Sequence, residues 1–136
     1  MMDGALVHAP MLGRIALATL LGAFIGYERE RAGKPAGVRT HGMVALGSAL
    51  FTAVSVFGFE GQGDPARMAA QIVTGVGFLG AGTILHLRGT VQGLTTAASL
   101  WVTAAIGTAV AVGMYLMSIE TAALVWVLLR FGPRVE

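Results

Sequence analysis

Seven charged or titratable residues lie within fourteen positions of one another, in a polar segment between two apolar stretches. Five of them form the candidate cluster: Glu28, Arg29, Glu30, Arg39 and His41. Carboxylates and guanidinium groups form ion pairs, and a histidine can exchange a proton near neutral pH. On a helix, Glu28 and Glu30 point about 200° apart, so only one of them can face a helical bundle. The cluster predicts either a functional site at a membrane surface or a solvated collar that contacts lipid headgroups.

A second set of polar residues is uncharged and recurs at helical spacing inside two apolar stretches. Gln71 and Thr74 share one face of the first stretch, and Thr96, Ser99 and Thr103 share one face of the second. Amide and hydroxyl groups inside a bilayer must bond one another or contact water. These residues therefore predict either a packing seam between two helices or the lining of a polar path. Neutral oxygens suit magnesium poorly, because that ion prefers carboxylates and keeps most of its water.

Other chemistry is sparse in this chain. No nucleophile, base and acid occur together, and no histidine and carboxylate have the spacing of metal ligands on one helix. The segment Gly75–Gly80 reads G-x-G-x-x-G, but the strand and the acidic residue of a dinucleotide site are absent. A net charge of +2 without an aromatic and basic patch does not favour nucleic acid. We therefore expect no enzyme, no cofactor, no metal site and no nucleic-acid partner.

The apolar segments that position these residues are typical of a membrane protein. Hydrophobic residues make up 55% of the chain and charged residues 12%, against roughly a quarter charged in soluble domains. The twenty residues between Arg67 and Arg88 carry no formal charge and would span about 30 Å as a helix, the thickness of a bilayer's hydrocarbon core. The fold class is therefore predicted as all-α, a polytopic transmembrane bundle. Its five spans are expected at about Met11–Tyr27, Gly42–Phe59, Met68–Leu87, Thr95–Met114 and Met117–Phe131.

Basic residues are distributed unevenly between the two sides of these spans. One side has Arg29, Arg31, Lys34, Arg39, Arg88, Arg130 and Arg134, whereas the other has Arg67, with Arg14 inside the first span. Because positively charged loops stay in the cytoplasm, we expect the N-terminus outside and the C-terminus in the cytoplasm. Residues 1–136 are expected to form one transmembrane domain, without a soluble C-terminal domain.

Glycines predict where the helices approach one another closely. The relevant positions are Gly22 and Gly26 on the first span and Gly75, Gly77, Gly80 and Gly82 on the third. Because the glycines of the third span lie on more than one side, that span is expected to be central. A bundle of this size offers few partners for both glycine faces, so we expect a homo-oligomer, with a dimer favoured.

Residues near the ends of the predicted spans have structural interpretations as well. Asp64 directly precedes a proline and is expected to cap the third helix. Arg14 is expected to extend toward the outer surface or to pair with Glu120. A histidine at a membrane interface either contacts headgroups or senses acidification, and both interpretations stay open for His41 and His86.

Five segments of the chain together resemble a known protein family. They are Gly26-Tyr-Glu-Arg-Glu30, Lys34-Pro-Ala-Gly-Val-Arg-Thr-His41, Asp64-Pro-Ala-Arg67, Gln71-Ile-Val-Thr-Gly-Val-Gly-Phe-Leu-Gly-Ala-Gly82 and Gly93-Leu-Thr-Thr-Ala-Ala-Ser-Leu-Trp101. In order and spacing they are similar to the MgtC/SapB family of bacterial inner-membrane proteins. The similarity extends over nearly all of residues 11–131.

The resemblance implies a multi-pass protein of the bacterial inner membrane, surrounded by lipid and linked to magnesium limitation, acid tolerance and other stress. It further implies regulation through another membrane protein, such as the ATP synthase. The alternative is a transporter or channel for an ion or small solute, through a polar path between spans three and four. Because the match is dense in the first connector, it favours a cytoplasmic-side site there over a simple collar.

Overall fold

A computed structural model describes residues 4–59 and 61–134 of the chain. Within these ranges the chain forms five α-helices and one short hairpin, so the predicted helical bundle is confirmed. The elements are α1 (Gly4–Arg31), α2 (Val38–Ala53), α3 (Ala66–Ala81), β1 (Leu85–Leu87), β2 (Thr90–Gln92), α4 (Leu94–Ala111) and α5 (Tyr115–Phe131), with a π-helical turn (Val54–Gly58) extending α2. By length and composition, three helical segments are able to cross a membrane: His8–Arg31, Val38–Gly58 and Leu94–Ala111.

The third helix is shorter than its uncharged sequence predicts. α3 ends at Ala81, and the following residues form an antiparallel hairpin in which His86 lies opposite Val91. At its tip, Arg88 and Gly89 have φ angles of 50° and 79°. Two successive residues with positive φ form the tight turn whose twist matches that of paired strands. The prediction that one helix fills the whole uncharged run is therefore wrong, because the helix ends at Ala81 and the last residues of the run, Leu85–Leu87, form strand β1.

α4 lies at the centre of the bundle. It contacts α1, α2, α3 and α5, and its side chains Leu100, Ile106 and Val110 are buried. α3, in contrast, buries only one stripe, which contains Ile72 and Val76 and packs chiefly on α4. The expectation that the third span is central is therefore wrong. Glycines on several sides of α3 permit close packing there without supplying a neighbour on each side.

The two ends of the bundle differ in charge. One end of the bundle contains the C-terminal ends of α1 and α5 and the N-terminal ends of α2 and α4. We call it the basic end. Its basic residues are Arg29, Arg31, Lys34, Arg39, Arg88, Arg130 and Arg134. The uneven distribution predicted along the sequence therefore corresponds to one end of the folded bundle.

Arg14 lies toward the opposite end and binds the C-terminus of α4. Its Nη1 donates a 2.8 Å hydrogen bond to the carbonyl oxygen of Ala111. Its guanidinium lies 5.6 Å from the ring centroids of both Phe57 and Tyr115. A cation is favoured at this place because the last carbonyl groups of a helix carry partial negative charge. Arg14 thus caps α4 instead of pairing with Glu120, which is exposed.

Two helix starts depend on individual residues. Oδ1 of Asp64 accepts a 2.8 Å hydrogen bond from the backbone N–H of Ala66, which confirms its predicted capping role at α3. α4 begins after Gly93, whose φ is 91°. A Cβ atom at Gly93 would lie 2.0 Å from the carbonyl oxygen of Thr83, so both conformation and space require glycine there.

Candidate functional site

Two charged side chains are buried at the basic end. Glu28 and Arg29, near the end of α1, are only 3% and 6% exposed. The Arg29 guanidinium donates a hydrogen bond from Nη2 to Oγ1 of Thr96, in the first turn of α4. Oε2 of Glu28 lies 3.8 Å from Nη1 of Arg31, whose own side chain is half exposed. Such partners offset part of the high cost of moving a charge out of water.

His41 joins α2 to α4 in the same buried layer. Its Nε2 lies 2.9 Å from Oγ of Ser99, and its Nδ1 lies 3.1 Å from the carbonyl oxygen of Gly37. The Ser99 hydroxyl also lies 2.8 Å from the carbonyl oxygen of Thr96. A neutral imidazole and a hydroxyl hold two protons for these three contacts, so they satisfy two of the three at a time. We call Glu28, Arg29, His41, Thr96 and Ser99 the buried polar cluster.

The other two residues of the predicted charged cluster lie outside this buried layer. Glu30 is exposed, and its Oε1 accepts a 3.0 Å hydrogen bond from the backbone N–H of Val38, the first residue of α2. It therefore caps that helix. Arg39 is exposed on the first turn of α2. The structure thus brings Glu28, Arg29 and His41 together and leaves Glu30 and Arg39 at the surface, because α1 and α2 each bury only one side there.

The predicted pairing of neutral polar faces on α3 and α4 is wrong. Thr96, Ser99 and Thr103 are buried, and the first two bind Arg29 and His41. Gln71 and Thr74 are exposed on α3, and the Thr74 hydroxyl donates only to the carbonyl of Ala70, four residues earlier. α3 instead packs on α4 through Ile72, Val76 and Gly80. Helical phase correctly placed each set on one face, but it does not say which helix that face meets.

The six glycines predicted to pack helices differ in their surroundings. A Cβ atom at Gly22 would lie 2.5 Å from the carbonyl oxygen of His41, and a Cβ atom at Gly26 would lie 2.4 Å from the carbonyl oxygen of Gly37. The absence of a side chain at both positions therefore lets α2 pack closely against α1. Gly80 faces Ala97 of α4. The remaining three have no other helix within 4 Å: Gly75, Gly77 and Gly82. The Gly22 and Gly26 face is therefore filled within one chain and is not available to a second copy, whereas self-association itself stays a prediction.

A groove between α2 and α3 was not predicted. It has a volume of about 570 Å³, and its walls are mostly apolar. Gln71 and Gly75 of α3 line it opposite Met43 and Gly47 of α2. The exposed Gln71 amide forms no hydrogen bond with another described residue. Glycines facing each other on two helices were the available signal, but their pairing depends on a tertiary contact that spacing alone does not give.

Acidic and histidine side chains do not gather into a metal site in the described part of the chain. Among those residues, no group of three or more is close enough together to hold a metal ion. Glu28, the buried carboxylate, has Arg31 as its ionic neighbour.

The described chain is thus a helical bundle with three helices long and apolar enough to cross a membrane, and with a buried polar cluster at its basic end. The chain belongs to the MgtC family, whose model matches residues 15–136. All five sequence segments that resemble the family lie inside that match, so the resemblance is confirmed.

Individual relatives are similar over most of this chain. The "Putative magnesium transporter YhiD" of Escherichia coli K12 is 50% identical over 118 residues, which are 82% of this chain and 55% of that protein. "Protein MgtC" of Salmonella typhimurium LT2 is 42% identical over 114 residues, 84% of this chain and 48% of that protein. The chain thus spans about half the length of the curated relatives it matches. No solved structure gives a significant match.

Proposed function

We propose that this chain is a multi-pass protein of the bacterial inner membrane that acts under magnesium limitation and related stress by binding another membrane protein. It has no catalytic activity of its own in this proposal. Family membership and the magnesium-related names of the relatives support the physiological setting. The ATP synthase is one candidate partner, and the argument for partner binding rests on the groove between α2 and α3.

The basic end is assigned to the cytoplasm. Seven Lys and Arg residues of the chain lie there, against Arg14 and Arg67 toward the other end. Positively charged segments near span ends resist translocation, which favours this orientation. In this arrangement the buried polar cluster lies near the cytoplasmic surface, and the groove opens sideways into the bilayer.

The exposed amide of Gln71 carries the proposal of a protein partner. Inside hydrocarbon, an amide without a hydrogen-bond partner is costly, and a polar residue on a neighbouring helix removes that cost. Gly75 and Gly47 in the same groove leave room for a helix backbone to approach closely. We therefore propose that the occupant is a transmembrane helix of another protein, with small residues and at least one hydrogen-bonding side chain on the facing side.

Transport is the competing class of function, and the Escherichia coli relative is named a putative magnesium transporter. In this chain the polar residues of α3 and α4 do not face each other. The hydroxyls of Ser99 and Thr103 lie 2.8 Å and 2.7 Å from carbonyl oxygens of their own helix. These contacts favour packing over a continuous hydrated path between the two helices.

The test pairs two neighbouring glycines. A Cβ at either Gly75 or Gly77 meets nothing within 4 Å, but only Gly75 lines the groove. We expect Gly75→Leu and Gln71→Leu to abolish support of growth in low magnesium, and Gly77→Leu to retain it, with all three proteins folded in the membrane. A photo-crosslinking residue at Leu79, in the groove wall, should then trap one membrane protein in wild type and lose it in Gly75→Leu.

Three results would count against this proposal. The first is rapid flux of magnesium, protons or potassium in sealed vesicles that contain only the purified protein. The second is a crosslink from Leu79 to a second copy alone, which would place the homo-oligomer, and not a different protein, in the groove. Loss of growth in Gly77→Leu as well as Gly75→Leu would also count against it, because the groove would then have no special role.

A further inference from the structure

A second cavity lies at the basic end, where the end of α1, the start of α4 and the end of α5 meet. Its volume is about 240 Å³. Three cationic side chains line it, namely Arg29, Lys34 and Arg134, and none of the described residues that line it is acidic. Leu128 and Leu129 of α5 form an apolar wall. The cavity therefore has three positively charged side chains and one apolar wall.

One of these positive charges is fixed in place. Arg29 is 6% exposed, and its guanidinium donates to the Thr96 hydroxyl. A side chain held in this way loses little conformational freedom when it binds a ligand, since its rotamer is already set. Lys34 and Arg134 are both exposed, so they add mobile charges at the mouth of the cavity.

The start of α4 adds a further favourable element for an anion. Thr95 and Thr96, in its first turn, line the cavity, and the N-cap residue Gly93 has no side chain with which to cap the helix. α4 has 18 residues, so its N-terminus carries the partial positive charge of a full helix dipole. Backbone N–H groups at such a terminus bind phosphate oxygens well.

We propose that this cavity binds a phosphate-bearing anion. Arg29 and the N-terminus of α4 contact the phosphate oxygens, and Lys34 and Arg134 add charge-assisted hydrogen bonds. The phosphate group belongs either to an anionic phospholipid or to a soluble phosphate compound. Basic pockets between membrane helices on the cytoplasmic side bind lipid headgroups by this chemistry, and the apolar wall of Leu128 and Leu129 suits the first part of the acyl chains of a lipid. The site is separate from the groove between α2 and α3, so either proposal can fail alone.

The test uses two probes and two matched pairs of substitutions. The probes are inorganic phosphate, added against chloride at equal ionic strength, and phosphatidylglycerol, compared with phosphatidylcholine in nanodiscs. The site variant is Lys34→Gln with Arg134→Gln. The control variant is Arg39→Gln with Arg130→Gln, which removes equal charge from exposed positions at the same end but outside the cavity. Melting temperatures without ligand establish that both variants fold.

We expect the site variant to weaken binding of at least one probe by about tenfold or more, because it removes two charge-assisted hydrogen bonds to the phosphate. The control variant should change it less than about twofold. Stabilisation by phosphatidylglycerol alone identifies a lipid as the ligand, and stabilisation by inorganic phosphate identifies a soluble compound as sufficient. Equal losses in both variants would overturn the proposal, because a general positive surface would then account for binding. Wild-type protein that responds to neither probe would overturn it too.

Discussion

His41 Nε2 and Ser99 Oγ lie 2.9 Å apart and form a buried link between α2 and α4. Arg29 joins α1 to α4 only three residues earlier along α4, at Thr96. Polar contacts in a single layer at the basic end therefore link α1 and α2 to α4. Because the link between His41 and Ser99 is buried, loss of the Ser99 hydroxyl leaves Nε2 of His41 without that partner, which costs about 1–3 kcal/mol.

Ser99→Ala is expected to lower the free energy of unfolding by about 1–3 kcal/mol, because Nε2 of His41 is left without its partner. Ser118→Ala is the matched control, since Ser118 is also buried but its hydroxyl donates only to the carbonyl of Met114, the residue directly before its own helix. Unfolding of the purified proteins in mixed micelles gives the comparison. Equal effects of the two substitutions would show that the link between α2 and α4 adds nothing beyond a local bond.

Gly26→Ala is expected to destabilise the bundle strongly. The added Cβ would lie 2.4 Å from the carbonyl oxygen of Gly37, so the backbones of α1 and α2 must separate. Gly13→Ala, on the same helix, meets nothing within 4 Å and should be neutral or stabilise by up to about 1 kcal/mol through helix propensity. Melting temperatures measured in one detergent test the contrast. A Gly26→Ala protein as stable as Gly13→Ala would contradict this close approach of α1 and α2.

Comparison of Gly93→Ala with Gly89→Ala separates the cost of a positive φ from the cost of a steric clash. Both glycines have positive φ, 91° and 79°, so each alanine incurs the left-handed penalty of about 1–2 kcal/mol. Only at Gly93 would the Cβ also meet a backbone atom, the carbonyl oxygen of Thr83. We expect Gly93→Ala to lose more stability than Gly89→Ala, together with tight packing of the α4 start. Parallel thermal scans decide this, and a larger loss in Gly89→Ala is the contrary result.

Arg14→Gln is expected to destabilise the end of α4 that lies away from the basic end. The substitution removes the bond to the Ala111 carbonyl and the contacts with two aromatic rings, which together contribute roughly 1.5–3 kcal/mol. Limited proteolysis at residues 112–114 should become faster. Arg67→Gln, at an exposed position, serves as the charge-matched control. Equal proteolysis of both variants and wild type would refute a capping role for Arg14.

Features that depend on local sequence were predictable. Alternation of apolar and polar segments predicts five helices, and Asp64 before a proline predicts the start of α3. The position of the hairpin was not predicted, although Arg88-Gly89 is flanked by β-branched and leucine residues. The uncharged run before it predicts one continuous helix, because apolar length alone does not distinguish a helix from a helix followed by a turn.

Features that depend on tertiary contacts were not predictable. Helical phase places Thr96, Ser99 and Thr103 on one face, but the choice of α1 and α2 over α3 as their neighbours depends on how all the helices pack. The same limit applies to Glu28 and Arg29. Their burial follows from the approach of α1 to α4, and neighbouring charges in a sequence more often remain in water.

The two arginine contacts between α1 and α4 also fix how many residues each helix has between them. Arg14 and Arg29 are fifteen positions apart, and so are their partners on α4, Ala111 and Thr96. Fifteen residues advance about 22 Å along either helix, so two antiparallel segments of equal size are matched end to end. Inserting one residue between the contacts would turn one end by about 100° and leave an arginine facing the wrong way. This region should therefore tolerate changes of side chain at its exposed positions but no change in the number of residues.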